Sequence, residues 1–431
     1  MALMIDFYFS RMKTPQFKHI FLLMFAVFLT TTSLFAQSLN GFRGPARNGV
    51  YAETGLLKSW PAEGPQLLWV TEDVGKGFSS PVIEGDRLYI TGLDKEGEQE
   101  VFSAYTLEGK KIYEKAYGKP WDAYPSDTRA TPSIVGDRAY ITSGTGEVVC
   151  INIANGDIVW KVEGLKYGIN YSTWGISESL LVFDNIVIFS PGGDQTAMVA
   201  LNATTGENVW LCEAFGGLNN YFSPILVAHN GKRQIIGVTE KYIIGVNPET
   251  GKIEWKFDDW GRPDGGENVV PNVPIYHKGR LFISSGYDIG AFMLQLNEDA
   301  TEVSLVWRNN DLDTHHGGFV LVNGTVYGTN WINNSQGNWL AVDWNSGITH
   351  YETPWDNKGK GSIIAADNML YCYDERRGTV GLVKANPEKF DVVSEFRITK
   401  GDGSHWAHPV IHKGVLYIRH GNALMAYKIN N

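Results

Sequence analysis

The sequence predicts an all-β fold: an eight-bladed β-propeller whose ring is closed by an N-terminal strand completing the C-terminal blade. Three observations carry this. A strand–turn–strand unit returns eight times along the chain. A large aromatic follows each copy at a spacing of 44 to 52 residues. The two ends of the chain hold complementary fractions of the eighth unit. Self-similarity at such a period marks stacked or radial repeat folds.

The elements run as follows. Residues 1–36 read as a secretory leader: basic residues from Met12-Lys13 to Lys18-His19, an apolar run from Ile20 to Leu29, then Leu34-Phe35-Ala36, with cleavage leaving Gln37 first. Met12 would give a more ordinary start. The apolar run is short for a membrane span, so no span is expected after cleavage. No Cys follows the cleavage site to carry a lipid. Residues 37–65 form a non-repeating lead-in, expected to pack over one face, and 66–431 the propeller.

The unit is clearest at Ser80-Pro81-Val82-Ile83-Glu84-Gly85-Asp86-Arg87-Leu88-Tyr89-Ile90 and at Thr131 to Ile141. It returns at Pro274 and Pro409, with looser copies near Leu180, Pro224, Phe319 and Ile363. Each continues to a third strand, a Thr-Gly-like turn and an aromatic. Gly109 leads to Tyr113, Gly156 to Trp160, Gly206 to Trp210, Gly251 to Trp255 and Gly347 to Tyr351, always four residues on. Trp69, Trp307 and Phe396 complete the series. A lone four-stranded sheet cannot bury both faces, whereas radial stacking buries each against a neighbour. The last unit stops after three strands, and the spare aromatic strand, Leu67 to Val70, sits at the other end. That favours a closed ring over a solenoid or two sandwiches.

Composition narrows the function. Charged residues are only 19%, aromatics 13%, and the net charge is −10, which argues against a nucleic-acid binder. Cys150, Cys212 and Cys372 are far apart, form no Cys-x-x-Cys pair, and read as buried thiols.

The pattern Ala-x-x-x-x-Thr-Gly-x-x-x-Trp resembles the tryptophan-docking repeat of pyrroloquinoline-quinone (PQQ) enzymes and their BamB-like relatives. The lead-in Gly41-Phe42-Arg43-Gly44-Pro45-x-Arg47-Asn48-Gly49 is similar to exported PQQ-like repeat proteins. The resemblance implies the propeller. It also brings PQQ and Ca²⁺ into view as cofactors, yet the adjacent cysteines and the acidic metal cluster of the quinone dehydrogenases have no counterpart here.

In a propeller, the loop leading into each innermost strand faces the central funnel, where ligands bind. Those loops carry Lys76, Asp127, Arg129, Trp174, Asn220, Tyr221, Glu267, Asn268, His315, Lys360, His405 and Trp406 as candidate ligand-binding residues. Should the protein be an enzyme, the candidates are His315, His316, His405, Tyr221, Arg129, Asp127 and Glu267. Flat aromatics beside charged groups suit a sugar ring, a quinone or an acidic glycan. Trp174 and Trp406 could equally be packing residues, and Asp127 with Arg129 an ion pair. Adjacent residues on a strand point opposite ways, so His315 and His316 are not read as joint ligands of one metal, and no metal site is assigned. The leading reading is a periplasmic or secreted protein that binds a ligand or partner, such as an oligosaccharide or an envelope protein, through its funnel. The alternatives are a carbohydrate-active lyase or hydrolase and a PQQ-dependent oxidoreductase.

Overall fold

Each repeat folds into one four-stranded antiparallel sheet, and eight sheets make an eight-bladed β-propeller. The structure, a computed structural model, describes residues 40–431. The leader read over 1–36 lies outside the described residues. The second blade shows how sequence becomes sheet. Ser133–Val135, Arg138–Thr142, Glu147–Asn152 and Ile158–Glu163 are rich in β-branched residues and joined by tight turns. The inner three strands are almost wholly buried. The outermost buries only Trp160 and Val162.

All eight blades carry a register shift between their third and fourth strands, just beside the docking aromatic: Ile158/Trp160 in the second, Ala200/Leu201 in the third, Leu67/Trp69 in the eighth. A bulge at that point re-aims a side chain. Here it sends the ring into the next blade. Trp160 Nε1 donates to Ala203 O at 2.8 Å, and its ring lies so close over Gly206 that an added Cβ would stand 2.9 Å away. Trp69 to Leu107 O, Trp210 to Pro248 O and Trp307 to Trp344 O repeat the bond. Trp255 departs from it, donating to Gln234 Oε1 of its own blade. Phe396 packs on Gly64, the glycine just before the outer strand of the eighth blade.

That strand, Gln66–Thr71, pairs antiparallel with Ala423–Lys428. The lead-in does more than cover a face. Asn40 bridges Ile134 of the second blade. Arg43 then reaches the carbonyls of Phe319 and Ile363 in the sixth and seventh blades. Val50–Tyr51 next joins the seventh blade as a parallel fifth strand. The segment therefore crosses the axis of the ring.

Two buried carboxylates make stability depend on pH. Glu100 accepts from Tyr117 Oη at 2.6 Å and Gly144 N at 3.2 Å. Glu178 accepts from Ser190 N and Oγ. Burial pushes each up to about 8. Both are protonated when folded at pH 7 and ionised when unfolded, so their stabilisation is lost as pH rises toward 8. Burial holds His315, His405, His408 and His412 low. Those groups oppose the trend only below the unfolded histidine value of about 6.5. Between pH 6.5 and 8 the melting temperature should fall, with each acid giving up on the order of 2 kcal/mol. The double variant Glu100→Gln, Glu178→Gln should flatten the decline in a calorimetric pH series; an unchanged slope would refute it.

Candidate functional site

The loops leading into seven of the eight blades converge on one axial cavity of about 370 Å³. That size is within the range of small-molecule sites. Its walls are aromatic: Phe78, Trp174, Tyr221, Tyr287 and Trp406. Its floor is Phe42 of the lead-in, edge-on to His408 at 5.0 Å. No Asp or Glu is among its lining residues.

Arg43 holds that floor. Its guanidinium donates to Phe319 O, to Ile363 O at 3.4 Å and to Asn48 O at 3.2 Å, and it meets His408 Nδ1 at 3.0 Å. Burial lowers Arg43 to about 10, so it stays cationic near neutrality. His408 Nδ1 must therefore accept, which leaves its Nε2–H to donate to His316 O at 3.0 Å. Arg47 fixes the other side through Leu180 O and Ser179 O.

Of the residues singled out in the sequence, Arg129, Trp174, Tyr221, His315, His316 and Trp406 line the cavity. Trp174 N donates to Tyr221 Oη at 3.0 Å, and the two rings lie 5.7 Å apart. Trp406 packs on Phe78 and on His316. Arg129 is half-buried, its partial desolvation lowers its pKa, and its one hydrogen bond among the described residues goes to Pro125 O. It makes no ion pair with Asp127, which does not line the cavity.

The others lie elsewhere. Lys76 is exposed and paired with Asp402 at 3.1 Å. Asn220 and Asn268 brace loops, through Val270 N and through Arg262 N and Glu240 O. Glu267 accepts from Thr173 Oγ1 at 3.0 Å, and its Oε1 is buried without a partner. His405 stacks on His420 at 3.7 Å and meets Tyr373 Oη at 2.6 Å, away from the cavity wall. Lys360 is buried behind the wall, ion-paired with Glu375.

One expectation needs correction. His315 and His316 do not diverge. They sit in a bend ahead of Val320–Val322, where strand alternation does not apply, and both line the cavity with their Nδ1 atoms 2.9 Å apart. Sequence reasoning missed Tyr287, whose hydroxyl lies 3.1 Å from His315 Nε2, and Glu375, whose Oε2 lies 2.9 Å from His316 Nε2. Both belong to hairpins joining second and third strands. Those hairpins fall at the same end of a blade as the loop leading into its first strand. That rule of antiparallel topology was the available signal.

Residues 41–163 and 97–349 match the family model described as outer membrane protein assembly factor BamB. The chain belongs to this BamB-like, PQQ-repeat family. Among solved structures, BamB from Moraxella catarrhalis superposes with a TM-score of 0.60 at 13% identity, covering 85% of this chain and all of that one. Quinohemoprotein alcohol dehydrogenase from Comamonas testosteroni gives 0.62 at 11%, over 89% and 79%. Such identities establish the shared fold alone. Tetrathionate hydrolase of Acidithiobacillus ferrooxidans is 24% identical over 306 residues, 66% of this chain but 55% of that protein. An uncharacterised protein of Rickettsia conorii is 25% identical over 134 residues, 30% of each. The chain thus spans about half or less of the length of these relatives.

The Ca²⁺ that the resemblance to quinone enzymes brings into view has no carboxylate-rich ligand set among the described residues. Calcium needs six or more oxygen ligands, with carboxylates among them. Among the described residues no three His, Cys, Asp or Glu side chains converge as a ligand set. The three cysteines are buried singly in separate blades.

Proposed function

We propose that this BamB-like propeller is an exported protein that binds a small, ring-bearing acid, of the sugar-acid class, in its funnel. The observation that carries this is Arg129: a half-buried guanidinium with one hydrogen-bond partner among the described residues, in the wall of an aromatic cavity that has no carboxylate of its own. Such a group matches a carboxylate, and the flanking Trp174 and Trp406 match the apolar faces of a sugar ring. Thr131, Ser177, Ser179 and Ser223 border the same space. The leader-like N-terminus and the family's description support a periplasmic or cell-surface setting. Exposed apolar side chains such as Leu67, Ile158 and Val209 of outer strands and Ile348 of a turn are spread around the ring. Scattered residues of this kind define no docking face, and the funnel is therefore preferred as the binding surface. No helix among the described residues is long and apolar enough to cross a membrane.

Titration calorimetry with trigalacturonate against neutral maltotriose tests the reading. The acid should bind and the neutral sugar bind more weakly. Arg129→Ala should weaken the acid about tenfold to a hundredfold, the worth of a charge-assisted hydrogen bond. Lys76→Ala should change it less than about twofold, as an exposed pair contributes little. Equal binding by wild type and Arg129→Ala would refute the assignment.

A further inference from the structure

We propose that Tyr287, His315, His316 and Glu375 form a proton-transfer chain that catalyses β-elimination from a uronate ring bound in the funnel, an inference that rests on the binding reading above.

The contacts run in series: Tyr287 Oη to His315 Nε2 at 3.1 Å, His315 Nδ1 to His316 Nδ1 at 2.9 Å, and His316 Nε2 to Glu375 Oε2 at 2.9 Å. Lys360 pairs with the other Glu375 oxygen. Burial alone would raise Glu375, but His316 and Lys360 outweigh it and hold the carboxylate below its usual range. Burial, with the Lys360 cation nearby, holds His315 well below the ordinary histidine range. In the resting state proposed here, Glu375 is ionised and each imidazole carries one proton, and a single arrangement then satisfies the chain. His316 keeps its proton on Nε2, toward Glu375. His316 Nδ1 then accepts from His315 Nδ1–H, and His315 Nε2 accepts from Tyr287 O–H. The phenol oxygen keeps a lone pair toward the cavity that Tyr287 lines.

The backbone is arranged to hold this phenol. Tyr287 and Asp288 both sit at φ 62°, a conformation that costs a bulky residue energy and is retained where the surroundings enforce it. Asp313 ties the turn down, accepting from Trp331 N at 2.8 Å and Asp288 N at 3.3 Å. Trp331 packs on the ring at 4.7 Å, and the Arg262 guanidinium lies 5.0 Å from its centre.

The residue set selects the reaction. Glycoside hydrolysis generally uses two carboxylates flanking the bond, and the cavity wall has none. Elimination needs one base, one acid and a cation on the carboxylate. Arg129 would neutralise the uronate carboxylate and acidify the neighbouring C–H. Tyr287 oxygen takes that proton as its own passes to His315 Nε2 and the His315 Nδ1 proton passes to His316. The C–H electron pair becomes the new C=C bond, and the β C–O bond breaks with its electrons on the leaving oxygen. The loaded chain, with His316 cationic against Glu375, points Tyr287 O–H back into the cavity and protonates that oxygen. No oxidant is consumed, and the chain returns to its starting state.

The charged and titratable groups around the chain are Glu375 and Lys360 from the seventh blade, Asp313, Asp288, Arg262 and Glu267 near Tyr287, and His408 with Arg43 beneath His316. The test follows the absorbance of the conjugated double bond on mixing the protein with trigalacturonate, or with mannuronate and glucuronate trimers. Wild type should generate it, with a primary isotope effect when the C5 hydrogen is deuterium. Tyr287→Phe should lower kcat by about 100-fold or more, the usual worth of a positioned acid–base group, with KM changed less than about threefold. Glu375→Gln should lower kcat and move the acid limb of the pH profile to lower pH, because His316 loses the anion that stabilises its cation. The isotope effect needs no variant, so a misfolded substitution cannot mask the answer. Binding without a new double bond would overturn the relay and leave the binding reading standing. Failure of all three trimers to bind would overturn both.

Discussion

Replacing Arg419 by alanine is expected to destabilise the propeller by about 3–5 kcal/mol, the usual result of breaking a buried charged network. Arg419 belongs to Val415–His420 of the last blade and is fully buried. Its Nη1 donates to Ser79 O at 3.1 Å, Ser79 Oγ at 2.6 Å and Thr91 O at 2.8 Å, and its Nη2 to Gly75 O at 2.9 Å. All of these acceptors lie in or just ahead of the first blade. Nε reaches Gly421 O. One side chain thus spans the seam where the ring meets itself, and its removal strands several buried carbonyls. Burial lowers Arg419 to about 9, still protonated at pH 7. Differential scanning calorimetry should show a drop of about 4–6 °C. Arg419→Lys should recover less than half, because an ammonium cannot reach acceptors spread around a planar fork. A drop below about 1 °C would mean that the seam does not depend on this residue.

Arg43→Ala should cost about 3–4 kcal/mol and also damage the cavity. The guanidinium fills a slot shaped for it. A Cβ on Gly318 would lie 2.0 Å from its Nη1, and one on Gly49 would lie 2.4 Å from its Nη2. Without it, Phe319 O and His408 Nδ1 lose a donor, and Phe42 loses the anchor next to it. Limited proteolysis should then cut within residues 40–51, and acid-sugar binding should weaken together with stability. Gly318→Ala should reproduce both effects by excluding the side chain. If Arg43→Ala melts as wild type and resists the protease, the lead-in is not a structural floor.

The propeller was legible because its repeat is a packing rule written in residues. The glycine in a turn receives the aromatic of the preceding blade, as Gly206 receives Trp160, while the aromatic four positions on, Trp210, enters the next blade over Gly251. Gly64 escaped notice because Trp69 follows it by five residues, not four. The site was legible only in part. Loops leading into first strands are recognised by position, so Arg129, Trp174 and Trp406 stood out. Position could not say that Lys76 points to Asp402 or that His405 turns into a blade interface. Tyr287 and Glu375 lie in hairpins that looked like ordinary turns. Their role arises from atoms 28 and 59 residues away from their partners in sequence, His315 and His316. The periodicity of one strand contains no trace of that proximity. The two histidines misled for the converse reason, since a strand rule was applied to residues in a bend.

The aromatic funnel above Phe42 is the proposed binding site for an acidic ring. A crystal soaked with digalacturonate tests it most directly. Density for the sugar acid is expected inside the cavity, with a carboxylate on Arg129 and a ring face against Trp174 or Trp406. An empty cavity under saturating ligand, or the sugar bound only at the outer strands, would contradict it.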